Sequence, residues 1–297
     1  MYRIAVVGYG NVGKQAVEAV TREPDMILAG VVRRKGKTDL PPELRDITVT
    51  DDITTLGKVD AALLAVPTRN VPEYAKKYLA LGISTVDSYD IHDSIAELRS
   101  ELDPIAKAGG AAAVIAAGWD PGSDSVIRAM LEACAPRGIT YTNFGPGMSM
   151  GHSVAAKAIP GVLDALSITM PMGAGIHRRM LYVTLEPGAS LEDVTALVKQ
   201  DSYFSGSETI VTSVSDLNAI RDMGHGVSIN RKGMSGAVHN QLFEFNMKIN
   251  GPALTAQIMI CSARAALRQK PGAYTLIETP LIDLLPGDRD EIIRRLV

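Results

Sequence analysis

An α/β fold in two parts is predicted: a doubly wound parallel sheet, followed by an α+β part whose sheet is largely antiparallel. Three observations carry this. Short apolar runs alternate with amphipathic helical stretches through the first 120 residues. The first run leads into a glycine-rich turn and a helix. Beyond about residue 121 the pattern changes to alternating strand-like segments.

"RIAVV", Arg3–Val7, suits a short buried parallel strand. Gly8, Gly10 and Gly13 follow as G-x-G-x-x-G, and from Asn11 to Val20 the apolar spacing turns helical. Gly8 permits the tight turn, Gly10 lets backbone approach a pyrophosphate, and Gly13 lets the helix pack closely on the strand. Asn11 and Val12 open the helix, whose N–H groups and partial positive charge suit phosphates. The alternative is an ordinary glycine-rich turn. The second strand "MILAGVV" completes the βαβ unit of a Rossmann-type fold and favours a nucleotide. That strand ends at Arg33 and Arg34, where an NAD-binding protein would carry an acid for the ribose hydroxyls. Two guanidiniums reverse the sign and suit the 2′-phosphate of NADP. A solvated basic turn including Lys35 and Lys37 is the competing explanation.

"VDAALLAVP" (Val59–Pro67), "ISTVDS" and "AAAVIAAGW" read as further buried strands. The helices "NVPEYAKKYLALG", stopped by Gly82, and "SIAELRSEL" lie between them. In such sheets ligands bind at the carboxyl ends of the strands. The expected cofactor-facing residues are therefore Ala65, Val66, Pro67 and Thr68 after one strand, Ser88, Tyr89 and Asp90 after the next, and Gly118, Asp120, Pro121 and Gly122 after the third. Asp90 and Asp120 at two strand ends would repel each other unless a cation, such as a substrate ammonium, sits between them. Either one alone would also serve as a helix cap. Asp124 reads as a first-turn acid of the helix "SDSVIRAMLEAC".

The first domain is assigned to residues 1–120, with 251–297 returning to it, and the second to 121–250. In the second, "GITYTNFG", "ALSITMP", "RRMLYVTLE", "ETIVTSV", "GVSINRK" and "FEFNMKI" predict an open antiparallel sheet, and "SLEDVTALVKQ" predicts a helix opened by Ser190. Arg179 shares parity with Leu181, Val183 and Leu185, so it falls on the more apolar face, where it needs an anion. A substrate carboxylate would serve, as would an internal salt bridge. His225 lies between two glycines in "DMGHGVS". His152 lies in the glycine-rich segment "GMSMGHS", expected to be a loop, while His92, His177 and His239 have no obvious partners.

The 297 residues are 46% hydrophobic with a net charge of −3, which disfavours global disorder and nucleic acid as a partner. No apolar run reaches the length of a membrane span, and the N-terminus has no signal-peptide layout. No His, Cys and carboxylate cluster has metal-ligand spacing, so no metal is expected. Cys134 and Cys261 are unmotivated as a pair and fit a reducing, cytoplasmic setting. Cys134, within a helix, is a poor thiol nucleophile.

Together "GYGNVG", "VVRR", "DSYDIHD", "GWDPGSDS", "NFGPGMSMGHS", "HRRMLYV", "DMGHG" and "PGAYTLIETP" resemble the meso-diaminopimelate dehydrogenase family over essentially the whole chain. The resemblance implies NADP-dependent, reversible oxidative deamination of meso-2,6-diaminopimelate at its D-centre, in lysine biosynthesis, by a homodimer. It implies that Asp90 and Asp120 meet the reacting end, that Trp119 binds substrate, and that Thr169, Arg179 and His225 hold the distal L-end. Phe144 falls at an aromatic wall position, and Met150 and Gly151 in a loop over the substrate. The family pattern has Asn directly before a Pro; here that position is Gly251, with Asn250 one step earlier, so a distal hydrogen bond is either lost or supplied by Asn250. Two other activities share parts of the pattern. A reductase of another lysine-pathway intermediate would need a loop cysteine or a basic histidine-rich segment. A non-catalytic NADP-binding regulator would have no use for Asp120 and Arg179.

Overall fold

The computed structural model describes residues 1–34, 40–221 and 224–297. Lys35 and Lys37 of the basic turn, and Asp222 and Met223 of the "DMGHG" segment, lie outside them. Along the chain come β1 (Tyr2–Val7), α1 (Asn11–Val20), β2 (Met26–Val32), β3 (Val49–Thr50), β4 (Ala61–Leu64), α2 (Val71–Ala80), β5 (Ser84–Asp87), α3 (Ile95–Gly109), β6 (Ala112–Ile115) and α4 (Ser123–Cys134). Then follow β7 (Arg137–Phe144), β8 (Gly147–Met148), α5 (Met150–Lys157), β9 (Val162–Gly173), β10 (Ile176–Leu185), α6 (Leu191–Gln200), β11 (Glu208–Ser213), β12 (Gly224–Ser235) and β13 (Val238–Asn250). The chain closes with α7 (Gly251–Ala266), β14 (Gly272–Thr275) and α8 (Arg289–Leu296). It divides into two units, Met1–Val126 with Pro252–Val297, and Ile127–Gly251.

The first unit holds a seven-stranded sheet in the order β14-β6-β5-β4-β1-β2-β3. Every neighbouring pair in it is parallel. Alternate residues of each strand feed two separate cores. Ala5, Val7, Ala62 and Leu64 pack with Tyr78 and Leu79 of α2 and Leu98 and Leu102 of α3. Ile4, Val6, Ala61 and Leu63 pack on the other face with Ala16 and Val17 of α1 and Met259, Ile260 and Ala263 of α7. With both faces covered, a strand such as "AALL" is apolar at every position. The strand order reverses between β1 and β4, and the crevice at their carboxyl ends is where such sheets take ligands.

Two elements of this unit differ in length from the sequence reading. The strand expected over Val59–Pro67 is only Ala61–Leu64: at its start the Asp60 side chain takes the Arg3 N–H at 2.8 Å, and at its end the Ala65 N–H turns back to the Leu63 oxygen at 3.1 Å. Helix α3 runs on to Gly109, and its stop is the left-handed Gly110, φ +68°.

The second unit has two sheets rather than one open sheet. One has the order β11-β10-β9-β8, the other β13-β12-β7. The pairs are antiparallel, as the largely antiparallel expectation has it, except β10–β11, which is parallel. The reason is the intervening α6: a helical crossover returns the chain to the same edge, whereas a tight turn would reverse it. Ser190 caps α6, accepting the N–H of Glu192 at 3.1 Å and that of Asp193 at 3.5 Å. Val194 and Val198 of α6, Ala156 of α5 and Phe204 close over Leu181 and Val183 of β10.

Arg264 of α7 is completely buried in the first unit. It reaches Asp25 at 2.6 Å through both Nε and Nη2, and Glu23 at 2.6 Å. Its hydrogen bond holds the Asp25 carboxyl below the ordinary aspartate range. Arg264→Ala removes the cation from both carboxylates, leaving Glu23 only its hydrogen bond from Gln257, and should cost about 3–5 kcal/mol, read as a lower urea midpoint at pH 7. In the wild type the Asp25 contribution is present above the ordinary carboxylate pKa and is lost as pH falls through the depressed one.

Candidate active site

The loop after β1 is built by contacts that exclude side chains. Gly8 has φ +96°, and a Cβ there would lie 2.2 Å from the Ala65 carbonyl oxygen. A Cβ on Gly13 would lie 2.3 Å from the Gly8 oxygen. At Gly10 the reverse holds: a Cβ would meet nothing within 4 Å. Gly10 is the N-cap of α1, makes no side-chain cap bond, and no acid lies in the first turn. The N–H groups of Asn11, Val12 and Gly13 thus stand at a helix N-terminus with no side-chain cap and no acid in its first turn, which fits a pyrophosphate.

Arg33 follows β2 half-buried, with its guanidinium 5.9 Å from the Tyr9 ring centroid. Its N–H donates to the Thr50 oxygen at 2.8 Å. Lys14 lies 5.8 Å from the same ring and 3.9 Å from Glu43. Burial and the Glu43 carboxylate, which accepts its hydroxyl proton in a hydrogen bond, push the Tyr9 phenol up. The arginine is therefore laid against an aromatic face, and Arg34 beside it is exposed. Such a pair fits a phosphate on the adenosine ribose.

Three further strand-end segments are tied to one another. Thr68, after β4 and the segment Ala65, Val66 and Pro67, accepts the Asp90 N–H on its Oγ1 at 3.1 Å. Asp87, the last residue of β5, is wholly buried. Its Oδ1 accepts the N–H groups of Tyr89 and Ala116, each at 3.0 Å. Burial pushes the Asp87 carboxyl up to about 6, against the pull of those two N–H groups. After β6, residues 118–122 fold back on themselves. Gly118 donates to the Pro121 oxygen at 3.0 Å, and Ser123 donates to the Gly118 oxygen at 3.1 Å. A Cβ on Gly122 would lie 1.9 Å from that oxygen. Asp120 precedes a cis proline and, like Trp119, is half-buried. Helix α4 starts only at Ser123, so Asp120 stands ahead of its cap position. Asp124, in the first turn of α4, is fully buried.

In the second unit, Arg179 stands directly opposite Thr169 in the β9–β10 register. Its Nη1 donates to Thr169 Oγ1 at 2.6 Å. Arg179 shares its face with the buried Leu181 and Val183, while its neighbour Arg178 pairs with Glu208 at 2.8 Å. Gly147 pairs with Thr169 across β8–β9, and a Cβ on Gly147 would lie 2.8 Å from the His225 Cα. Gly145, φ +93°, donates to the Gly226 oxygen at 2.9 Å, and a Cβ on it would lie 2.3 Å from the Thr169 oxygen. This tight turn gathers Thr169, Arg179 and the buried His225. Among the expected residues, Phe144 ends β7 beside it, and Asn250 is the exposed last residue of β13, followed by Gly251 at the start of α7.

Three expectations are corrected. Met150 and Gly151 are not in a loop: they open α5, whose N-cap is Ser149. His152 is helical too, with Nδ1 2.9 Å from Ser149 Oγ and its ring edge-on to Tyr203 and Phe204. His177 has a partner, since its Nε2 accepts the Phe144 N–H at 2.7 Å and the two rings lie 5.2 Å apart. Cys134 ends α4 and is exposed, although helical as expected. Asp87 and Tyr9 were missed, Asp87 because it closes an apolar strand and Tyr9 because it lies inside the glycine motif. Among the described residues no cluster of His, Cys, Asp and Glu could hold a metal ion, and no helix is long and apolar enough to cross a membrane.

The family model of the diaminopimelic acid dehydrogenase C-terminal domain matches residues 118–251. The meso-diaminopimelate D-dehydrogenase of Bacteroides fragilis is 59% identical over 99% of each chain. The chain belongs to the meso-diaminopimelate D-dehydrogenase family. The Lysinibacillus sphaericus member is 32% identical, again over 99% of both. Among solved structures, the Corynebacterium glutamicum enzyme in complex with diaminopimelate aligns with a TM-score of 0.89 at 30% identity, covering 100% of this chain and 99% of that one. An engineered D-amino acid dehydrogenase bound to NADP+ also gives 0.89, at 29% identity and the same coverage. A dihydrodipicolinate reductase from Paenisporosarcina, at 15% identity and a TM-score of 0.52, shares the fold alone.

Because the folded-state pKa of Asp87 is raised from 3.8 to about 6, its proton stabilises the fold below the lower value, and that contribution is lost as pH rises through the higher one. The stability of wild type relative to Asp87→Asn, taken from urea midpoints, should therefore fall across that window. Gly10→Ala should melt like wild type but bind NADP+ at least about tenfold more weakly, since its methyl intrudes only on the N-terminus of α1. Gly13→Ala should lower the melting temperature itself.

Proposed function

We propose that the protein catalyses the NADP-dependent, reversible oxidative deamination of meso-2,6-diaminopimelate at its D-centre, yielding L-2-amino-6-oxopimelate and ammonia. The observation that carries the substrate reading is the Arg179–Thr169 hydrogen bond on the apolar face of β10. It supports a fixed anion site of the kind a distal carboxylate needs, and family membership supplies the identity of the ligand. The first unit supplies the residues for the cofactor and for the reacting end of the substrate, and the second those for its distal end.

Asn11, Val12 and Gly13 offer N–H groups to the pyrophosphate, and Arg33 and Arg34 take the 2′-phosphate. Ala65, Val66, Pro67, Thr68, Ser88, Tyr89, Gly118, Pro121 and Gly122 complete the cofactor's surroundings on their strand-end segments. When bound, the nicotinamide ring supplies the acceptor for the hydride of the D-carbon. Asp90 and Asp120 hold the reacting ammonium and orient the carbon that bears it, with Trp119 beside them. The amine must lose a proton before the carbon can be oxidised, and an aspartate oxygen, Asp120 first and Asp90 assisting, receives it. Arg179, Thr169 and His225 grip the far carboxylate, and Phe144, Met150, Gly151 and Asn250 line the substrate. The two ends of the substrate differ only in handedness, so the distal grip decides which one reacts.

The protein acts as a cytoplasmic homodimer. Support for the dimer comes from β13, which among the described residues pairs only with β12 and carries Phe243, Phe245, Met247 and Ile249 half-exposed on one face. Two free thiols accord with a reducing compartment.

The direct test is NADPH absorbance. It should appear with meso-diaminopimelate and NADP+, and not with the LL isomer. Arg33→Ala should weaken NADP+ binding by about 1.5–3 kcal/mol, one to two decades, and narrow the preference over NAD+. Asp120→Ala should lower turnover with little change in NADP+ affinity; unaltered turnover removes Asp120 from its role.

A further inference from the structure

We propose that Asp87 is a positioning residue for both aspartates of the reacting end, acting through backbone N–H groups without touching substrate. The inference rests on the roles proposed above for Asp90 and Asp120. Asp87 closes β5, and its side chain is completely buried. One oxygen, Oδ1, accepts N–H groups from two different strand-end segments, Tyr89 at 3.0 Å and Ala116 at 3.0 Å. The Asp87 backbone oxygen accepts the Ala117 N–H at 2.7 Å. Tyr89 immediately precedes Asp90. Ala116 and Ala117 open the segment that reaches Asp120 through Gly118 and Trp119. A single carboxylate therefore fixes the points at which both segments leave the sheet.

The backbone at the second point needs such a partner. Ala116 has φ +55°, a left-handed conformation that a residue with a side chain keeps only when its surroundings impose it. In that conformation its N–H turns back toward β5, where Oδ1 receives it. Asp90 is then held from its other side, its own N–H donating to Thr68 Oγ1 at 3.1 Å. Beyond Ala117, the fold-back of residues 118–122 carries the placement on to Asp120. A buried acid is not required to end a parallel strand. An acceptor oxygen common to two segments is what this position supplies.

The test measures steady-state kinetics with meso-diaminopimelate and NADP+, alongside thermal melting of each variant. Asp87→Ala should lower kcat at least about tenfold and change the KM for meso-diaminopimelate much less, because displaced aspartates impair chemistry while the distal grip persists. Asp87→Asn keeps an acceptor oxygen in place and should recover most of the lost kcat. If the alanine variant does not fold, Asp87→Glu carries the same readout: the charge stays but the acceptor moves by a methylene, and kcat should fall by a similar factor. Wild-type kcat in Asp87→Ala or Asp87→Glu, or an Asp87→Asn variant as slow as Asp87→Ala, overturns the proposal. A wild-type protein that forms no NADPH with meso-diaminopimelate overturns the functional reading itself and this inference with it.

Discussion

Arg179 has to stand where a charged side chain is costly. It shares the face of β10 with Leu181 and Val183, both wholly buried, and is held at 2.6 Å by Thr169 from the strand opposite. A guanidinium fixed in that way has the plane of its donor fork set by the sheet. In the function proposed above, a grip fixed in this way is what would make the two like ends of the substrate different to the protein. The tight turn at Gly145 and Gly147, closed against Thr169 and His225 by approaches that no side chain would permit, sets the same site from the backbone.

The first unit solves a different problem. A nucleotide's phosphates need N–H groups and cations without side-chain obstruction, and a reacting amine needs carboxylates that do not wander. The glycine loop meets the first requirement by spacing alone: Gly8 and Gly13 are packed against backbone, and Gly10 is left open. The second requirement falls to short segments after β4, β5 and β6, which have little regular structure of their own. They are joined instead by hydrogen bonds from Thr68 and Asp87. Local order in this part of the molecule therefore depends on a few polar side chains at the end of an apolar sheet.

Much of this was legible from periodicity. The parallel sheet could be read because strands covered on both faces are apolar at every position, and the glycine turn into α1 because glycine spacing and a following helix are local features. Arg179 was legible from parity, since two-residue alternation puts it with Leu181 and Val183. Features that depend on distant partners were not. Met150 and Gly151 look like loop residues beside glycines and serines, yet Ser149 starts a helix there. The burial of Asp87 depends on Ala116, 29 residues further along the chain. The parallel direction of β11 depends on where α6 returns the chain, which no residue of β11 records.

The most direct measurement compares kcat/KM for meso-diaminopimelate with that for D-alanine, which lacks a distal carboxylate, in wild type and Arg179→Met. A fixed distal grip predicts that wild type strongly prefers the longer substrate. It also predicts that the variant loses at least about tenfold of that preference, through meso-diaminopimelate alone. A preference ratio unchanged by the substitution would contradict it.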